Sequence, residues 1–296
     1  MAQRNFLHLA LAALLVSAGA GIPARAETAP PVVRPAVPGA GAEAQVLRLA
    51  ETLQIGGVIE VMRQEGVEYG ATLRDEMFAG KGGPGWDAAV ARIYDQSRMR
   101  AEFDAALVQA LAGAPGVVVE AQAFFGDARG QKILALELEA RRALLDDATE
   151  TAAQEAARQM QADSTPRFEA LSRFATTNDL IEMNVMGALN ANLAFYRGLS
   201  QGGAFDTAMT EDDMLAEVWA QEADVRQETE DWLWPYLSLA YGPLSDEELQ
   251  AYTDFSATPE GRQLNAAVFA AFDALFVRIS AELGRAAARQ MLGEDI

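Results

Sequence analysis

The chain has 296 residues, with 43 Asp and Glu against 23 Lys and Arg, and a formal net charge of −20 at pH 7. This charge disfavours nucleic acid and anionic membrane surfaces, so we expect no nucleic-acid partner. The chain has no cysteine, and its one histidine, His8, lies near the N-terminus. Disulfides, thiol nucleophiles, Ser-His-Asp triads and His/Cys zinc sites are therefore excluded beyond that point, and we expect no cofactor and no metal.

Residues 1–26 have the pattern of an export signal. Arg4 supplies a positive charge, and the apolar run 9–22 is shorter than the about 20 residues that cross a bilayer. The Ala-Arg-Ala sequence ending at Ala26 matches the small-x-small pattern cut by signal peptidase, so we predict cleavage there. A retained N-terminal anchor is the alternative. We expect no later stretch to be long and apolar enough to cross a membrane.

Residues 27–43 contain four prolines among small residues, which predicts an extended tether. From residue 44 onward, apolar residues recur every three or four positions, as they do on one face of a helix. The pattern is clearest between Leu264 and Leu283. Because no convincing strand-like alternation occurs, we predict an all-α protein, a helical bundle.

Two pairs of segments are similar in sequence and occur in the same order. They are 51–62 with 173–184, and 123–134 with 254–265, at offsets of 122 and 131 residues. The first pair aligns Glu60 with Glu182. We therefore predict a bundle built from two related, duplicated halves, residues 44–160 and residues 161–296.

Three short polar segments in the second half have the sequence of helix starts. Ser245 is followed three residues later by Glu248, which is a capping box. Thr258 precedes a proline and a glutamate, and Thr210 precedes three acids. These acids are predicted to cap helices rather than to take part in catalysis.

The segment LSDEELQAYTDFSATPEGRQLNAAVF, residues 244–269, resembles the signature of the domain of unknown function 2059 family. The shared features are a capped DEEL helix, an aromatic residue and a TPEG turn, within a similarity that spans Asp231–Ala288. The first half matches as a degenerate copy, with GDARG at 126–130 in place of the proline-containing turn. The resemblance implies an exported all-helical protein, periplasmic in a Gram-negative cell. It implies no catalytic residues.

Glu60 and Glu182 are the candidate carboxylates. Each lies inside an apolar run, and a pair facing one cleft could perform glycosidic acid–base chemistry or hold a hard cation. The simpler interpretation, which we favour, turns each glutamate to solvent or pairs it with an arginine.

Trp232 and Trp234 belong to the densest aromatic cluster, DWLWPYLSLAY. Pro235 predicts a kink in this helix. A kinked aromatic helix could line a ligand groove or dock on a partner, but we favour packing of these rings in the core.

These observations predict a periplasmic, non-catalytic binding or interaction module of the cell envelope, whose partner is an envelope protein or ligand. Two alternatives remain open: an enzyme that cleaves cell-wall glycan with carboxylates, and a structural helical protein that associates with itself. The sequence leaves the ligand, the partner and the oligomeric state open.

Overall fold

The computed structural model describes residues 40–78, 83–205 and 209–293. These residues form helices and turns, with no strand among them, so the all-α prediction is confirmed. The predicted signal and residues 27–39 of the predicted tether lie outside the described residues. Residues 40–43, assigned to the tether from the sequence, are already helical.

In chain order the helices are α1 (Ala40–Thr52), α2 (Ile55–Phe78), α3 (Gly83–Ile93), α4 (Gln96–Ala110), α5 (Pro115–Phe125), α6 (Ala128–Ala143), α7 (Asp147–Ala162), α8 (Pro166–Thr177), α9 (Leu180–Gln201), α10 (Glu211–Ala220), α11 (Glu222–Tyr241), α12 (Asp246–Ser256) and α13 (Pro259–Leu292).

The helix starts follow the capping chemistry of the sequence. Ser245 and Glu248 form a reciprocal capping box at α12: Glu248 N–H donates to Ser245 Oγ at 3.2 Å, and Ser245 N–H donates to Glu248 at 2.8 Å. Thr210 opens α10 with a second capping box. Thr258 accepts from the Gly261 N–H at 2.9 Å, with Pro259 as the first residue of α13. All three predicted starts are confirmed.

Helix α13 lies at the centre of the bundle. It packs most extensively along α9 and also contacts α3, α4 and α5. The α9–α13 backbones approach closely because glycine occupies the contact on both helices. A Cβ on Gly198 would lie 2.3 Å from the Ala281 carbonyl oxygen, and a Cβ on Gly284 would lie 2.3 Å from that of Phe195. No larger residue fits these positions without moving a backbone.

By length and composition α13 could also cross a membrane, since it contains an 18-residue window of mean hydropathy 1.5. Our expectation that no stretch after the signal meets this test is therefore wrong. The reason is its central position: 61% of that window is buried inside the protein, and a core helix is as apolar as a membrane span.

One core runs through both predicted halves. Phe103 of α4 packs on Phe272 of α13, with ring centroids 4.6 Å apart. Phe124 of α5 stacks on Phe255 of α12 at 4.2 Å. The sequence alignment pairs Phe124 with Phe255, and contact between equivalent residues is what an approximate twofold relation between the halves produces. Duplication of the halves stays a prediction.

The helix junctions offer a second possible register for the first aligned pair. Gln54 before α2 and Asp179 before α9 both adopt positive φ, 56° and 47°, and they lie 125 residues apart rather than 122. Glu60 is the sixth residue of α2, whereas Glu182 is the third residue of α9. By this register the two glutamates are not equivalent. A shift of three residues is close to one helical turn, so the apolar pattern hides it.

Candidate functional site

The structure pairs Glu60 and Glu182 with separate arginines rather than with each other. Glu60 is exposed and lies 3.6 Å from Arg142 of α6. Glu182 accepts two hydrogen bonds from Arg226 of α11, at 2.5 and 2.8 Å. The hydrogen bonds and charge of Arg226 lower the pKa of Glu182. Both are surface ion pairs, and neither residue lines the two cavities described next.

The two candidate tryptophans lie on α11 at the edge of the core. Trp232 stacks on Tyr236 one turn further along, with ring centroids 4.8 Å apart and planes 13° from parallel. Trp234 packs on Phe168 of α8 at 5.1 Å. Both tryptophans are half-buried. They pack against the core, as predicted, and they also line a cavity, which the sequence left as the alternative.

That cavity has a volume of about 370 Å³ and lies where α7 packs along α11. The α7 wall consists of Glu150, Gln154, Ala157, Arg158 and Gln161, spaced as one helical face. The two tryptophans and Pro235 form much of the opposite wall. Ala157 is the one buried residue of α7, and its small side chain leaves the space open.

A second cavity, of about 340 Å³, lies between α2, α6 and the start of α7. Glu150 and Trp232 line both cavities, so the two spaces are neighbours that share part of their walls. We call the two cavities together the tryptophan groove. Its second part is also lined by Tyr69, Arg141 and Leu145.

The groove is rich in carboxylates. The acidic residues that line it are Glu65, Glu68, Asp147, Glu150, Glu228, Glu230 and Asp231. Its two cations are Arg141 and Arg158. Arg141 is held by Glu65 at 2.5 Å, and Arg158 lies 3.4 Å from Glu155, which is outside the groove lining. The groove therefore has an acidic excess.

Burial raises the pKa of Glu65 above its ordinary value, and the nearby Arg141 guanidinium opposes that rise only in part. Arg141 is only 5% exposed. The pair is consequently a buried ion pair at the inner end of the groove, in a place where desolvation outweighs the attraction of a single cation.

Glu137 of α6 is a buried carboxyl that the sequence analysis missed. It accepts hydrogen bonds from the hydroxyls of Tyr241 at 2.7 Å and Tyr252 at 3.2 Å. Burial raises its pKa to about 7, against the effect of those two hydrogen bonds. A signal was present, because Glu137 follows Ile133 by four residues and therefore lies on the apolar face of α6. It links α6 to α11 and α12 within the core and does not line the groove.

Within the described ranges, no group of three or more Asp, Glu, His or Cys side chains is arranged to hold a metal ion. The groove thus offers an acidic and aromatic surface with two neutral amides, Gln154 and Gln161. Such a surface can hold a ligand by charge, stacking and hydrogen bonds. Family models provide no match to the chain, and curated proteins and solved structures provide none either. The resemblance to the domain of unknown function 2059 family stays a prediction.

Proposed function

We propose that the protein is an exported, non-catalytic binding module of the cell envelope that holds an extended ligand in the tryptophan groove. The observation that carries this proposal is a pair of adjacent cavities that share Trp232 and Glu150 in their walls. Ligand sites in proteins are concave and combine aromatic side chains with polar groups. The groove is concave and aromatic, and its lining is mostly charged or polar.

The composition and the N-terminus support the same proposal. Beyond residue 26 the chain has neither histidine nor cysteine, so the usual general base and the usual thiol nucleophile are missing. The signal-like first 26 residues support export. The periplasmic location is part of the proposal and rests on the resemblance to an exported family.

The glycan-cleaving alternative depended on Glu60 and Glu182 facing a common cleft. Each instead has its own arginine, and the α9 glutamate has a lowered pKa, which is unsuited to a general acid. Glu60 and Glu182 therefore give no support to the glycan-cleaving alternative.

The proposal is tested by titrating the exported, processed protein with four probes of different chemistry: a neutral capped pentapeptide, spermidine, chitotetraose and citrate. Two of the four tryptophans, Trp232 and Trp234, line the groove. We therefore expect at least one probe to change the intrinsic tryptophan fluorescence, with a change that saturates as the probe concentration rises. Trp232→Phe combined with Trp234→Phe should remove that change. Trp219→Phe is the matched control, because Trp219 is 55% exposed on α10 and outside the groove lining.

Saturable binding that persists in the double variant would place the ligand elsewhere and overturn the proposal. The same conclusion follows if none of the four probes, nor the basic peptide described below, binds to the wild-type protein.

A further inference from the structure

Each cation of the tryptophan groove has an acidic partner, whereas most of the groove's acids have no ion-pair partner among the described residues. Glu150 accepts a hydrogen bond from Gln154, and Asp231 accepts one from Gln227; both donors are uncharged amides. A ligand with positive groups would therefore be attracted, and one with negative groups would be repelled.

The two tryptophans add a second preference for cations. An ammonium or guanidinium group is attracted to the face of an indole ring, and the methylene stem of a lysine or arginine packs on the same ring. Trp232 and Glu150 both line the two cavities. A cavity wall with an aromatic ring and a carboxylate suits a basic side chain better than a bare inorganic cation.

The shape of the groove fits an extended chain. From Glu150 to Gln161 the α7 wall covers ~16 Å, at a rise of 1.5 Å per residue. An extended peptide advances about 3.3 Å per residue, so this wall matches roughly five peptide residues. Gln154 and Gln161 add amide groups of the kind that bind peptide backbone.

Arg141 is the independent observation that favours a peptide over a simple polyamine. It lines the inner end of the groove and is 5% exposed, and its Nε–H has no hydrogen-bond partner among the described residues. A buried donor without a partner costs free energy. Because this Nε–H has almost no exposed surface, a peptide carbonyl can accept its hydrogen bond only when the side chains that cover it shift, whereas a protonated polyamine carries no acceptor at all.

We propose that the tryptophan groove binds short, extended basic peptides, with lysine or arginine side chains at Trp232 and the surrounding carboxylates and with backbone carbonyls towards Arg141. This inference rests on the proposed function, because it names the ligand class of the same groove.

The experiment is a calorimetric titration of the exported, processed protein with acetyl-Ala-Lys-Ala-Lys-Ala-amide. Peptides with Gln or Glu in place of Lys are the neutral and acidic comparisons, and spermidine is the cation without carbonyls. We expect the Lys peptide to bind at least about tenfold more tightly than the Gln peptide and spermidine, and the Glu peptide not to bind. Raising the salt concentration should weaken the binding of the Lys peptide.

The test variant combines Glu150→Gln with Asp231→Asn, which keeps the shape of the groove and removes two of its charges. The control variant is Glu120→Gln, which changes an exposed acid of α5 outside the groove. We expect the test variant to weaken binding of the Lys peptide about tenfold and the control to leave it unchanged. Circular dichroism checks that each variant keeps its helices.

The outcomes separate the two proposals. Binding of a neutral or acidic probe in preference to the Lys peptide would overturn the basic-peptide inference and leave the groove as a binding site. If spermidine binds as tightly as the Lys peptide, the inference is also overturned, because the groove would then bind any cation and would not select a peptide. If no probe binds, both proposals fail together.

Discussion

The α9–α13 contact and the α7–α11 contact are both helix pairs of the same bundle, and yet one is a closed core and the other is an open groove. At α9–α13, Gly198 and Gly284 let the backbones touch, and α13 buries residues along most of its length. At α7–α11, Ala157 is the one α7 residue that is buried, and acids and tryptophans surround the remaining space. The comparison teaches that helix pairing alone does not create a core. Side-chain volume and charge at the contact decide whether the space closes.

The largest expected effect comes from Gly284→Ala. The new Cβ would lie 2.3 Å from the Phe195 carbonyl oxygen and 2.9 Å from the Leu199 nitrogen, so two backbones must separate. We expect a loss of about 3 kcal/mol or more in the free energy of unfolding, measured in urea. Gly187→Ala in α9 is the control, because the added Cβ would have nothing within 4 Å and alanine favours a helix. Equal destabilisation by the two changes would contradict the close-contact account of α9–α13.

The second prediction concerns Glu137 of α6, which accepts a hydrogen bond from Tyr241 on the buried face of α11. Its pKa is about 7 in the folded protein and 4.5 in its unperturbed form, so the folded state holds the proton more tightly. Stability from this group is therefore full below pH 4.5 and is lost as the pH rises through 7, by ~3 kcal/mol at most. Glu137→Gln should remove this loss and be more stable than the wild type at pH 8.

The measurement is the urea midpoint as a function of pH between 5 and 8. Glu139→Gln, an exposed change on the same helix, should keep the wild-type dependence. A wild-type stability that rises across this range, with Glu137→Gln following the same course, would show that the core between α6, α11 and α12 does not hold a protonated carboxyl.

Ala157→Leu should convert part of the groove into core. The added side chain enters the cavity of about 370 Å³ between α7 and α11. We expect stability to rise by up to about 1 kcal/mol, since apolar surface is buried in existing space. Binding of the Lys peptide should fall at least about tenfold, because its site is filled. Ala152→Leu, on the exposed side of α7, is the control for both the thermal melt and the titration. Unchanged peptide affinity in Ala157→Leu would place the ligand outside this cavity.

The smallest effect is expected at Glu182. Its ion pair with Arg226 lies on the surface, with the glutamate side chain 54% exposed, so Glu182→Gln should cost less than about 1 kcal/mol at pH 7. Because the folded pKa is lowered, that contribution is present above the ordinary pKa and disappears as the pH falls below it. The Lys-peptide affinity should stay unchanged. A loss of binding in this variant would extend the ligand site from the groove to the α9 surface.

Much of the fold could be predicted from local sequence. Ser245, Thr258 and Thr210 predicted the starts of α12, α13 and α10, because capping bonds join residues only three positions apart. For the same reason, we predicted that the acids at those helix starts cap helices and do not take part in catalysis. The apolar spacing from Leu264 to Leu283 predicted a core helix, and this helix lies at the centre of the bundle.

The candidate site could be predicted only in part. Trp232 and Trp234 were named from the sequence, but whether they filled the core or lined a groove depended on what α7 placed opposite them. The structure does not bring Glu60 and Glu182 together, because each pairs with an arginine from a different helix, and such partners cannot be predicted from local spacing.

The sequence by itself therefore determined the all-α class, the starts of three helices, the acidic composition and the exclusion of histidine and cysteine chemistry beyond residue 26. Only the tertiary structure decided that Glu150 and Trp232 line the same cavities, that Arg141 pairs with Glu65, and that Glu137 accepts hydrogen bonds from two tyrosines. The physical reason is range. Caps and helical faces depend on neighbours within about one turn. A groove depends on the volumes and charges of side chains that are far apart in the chain.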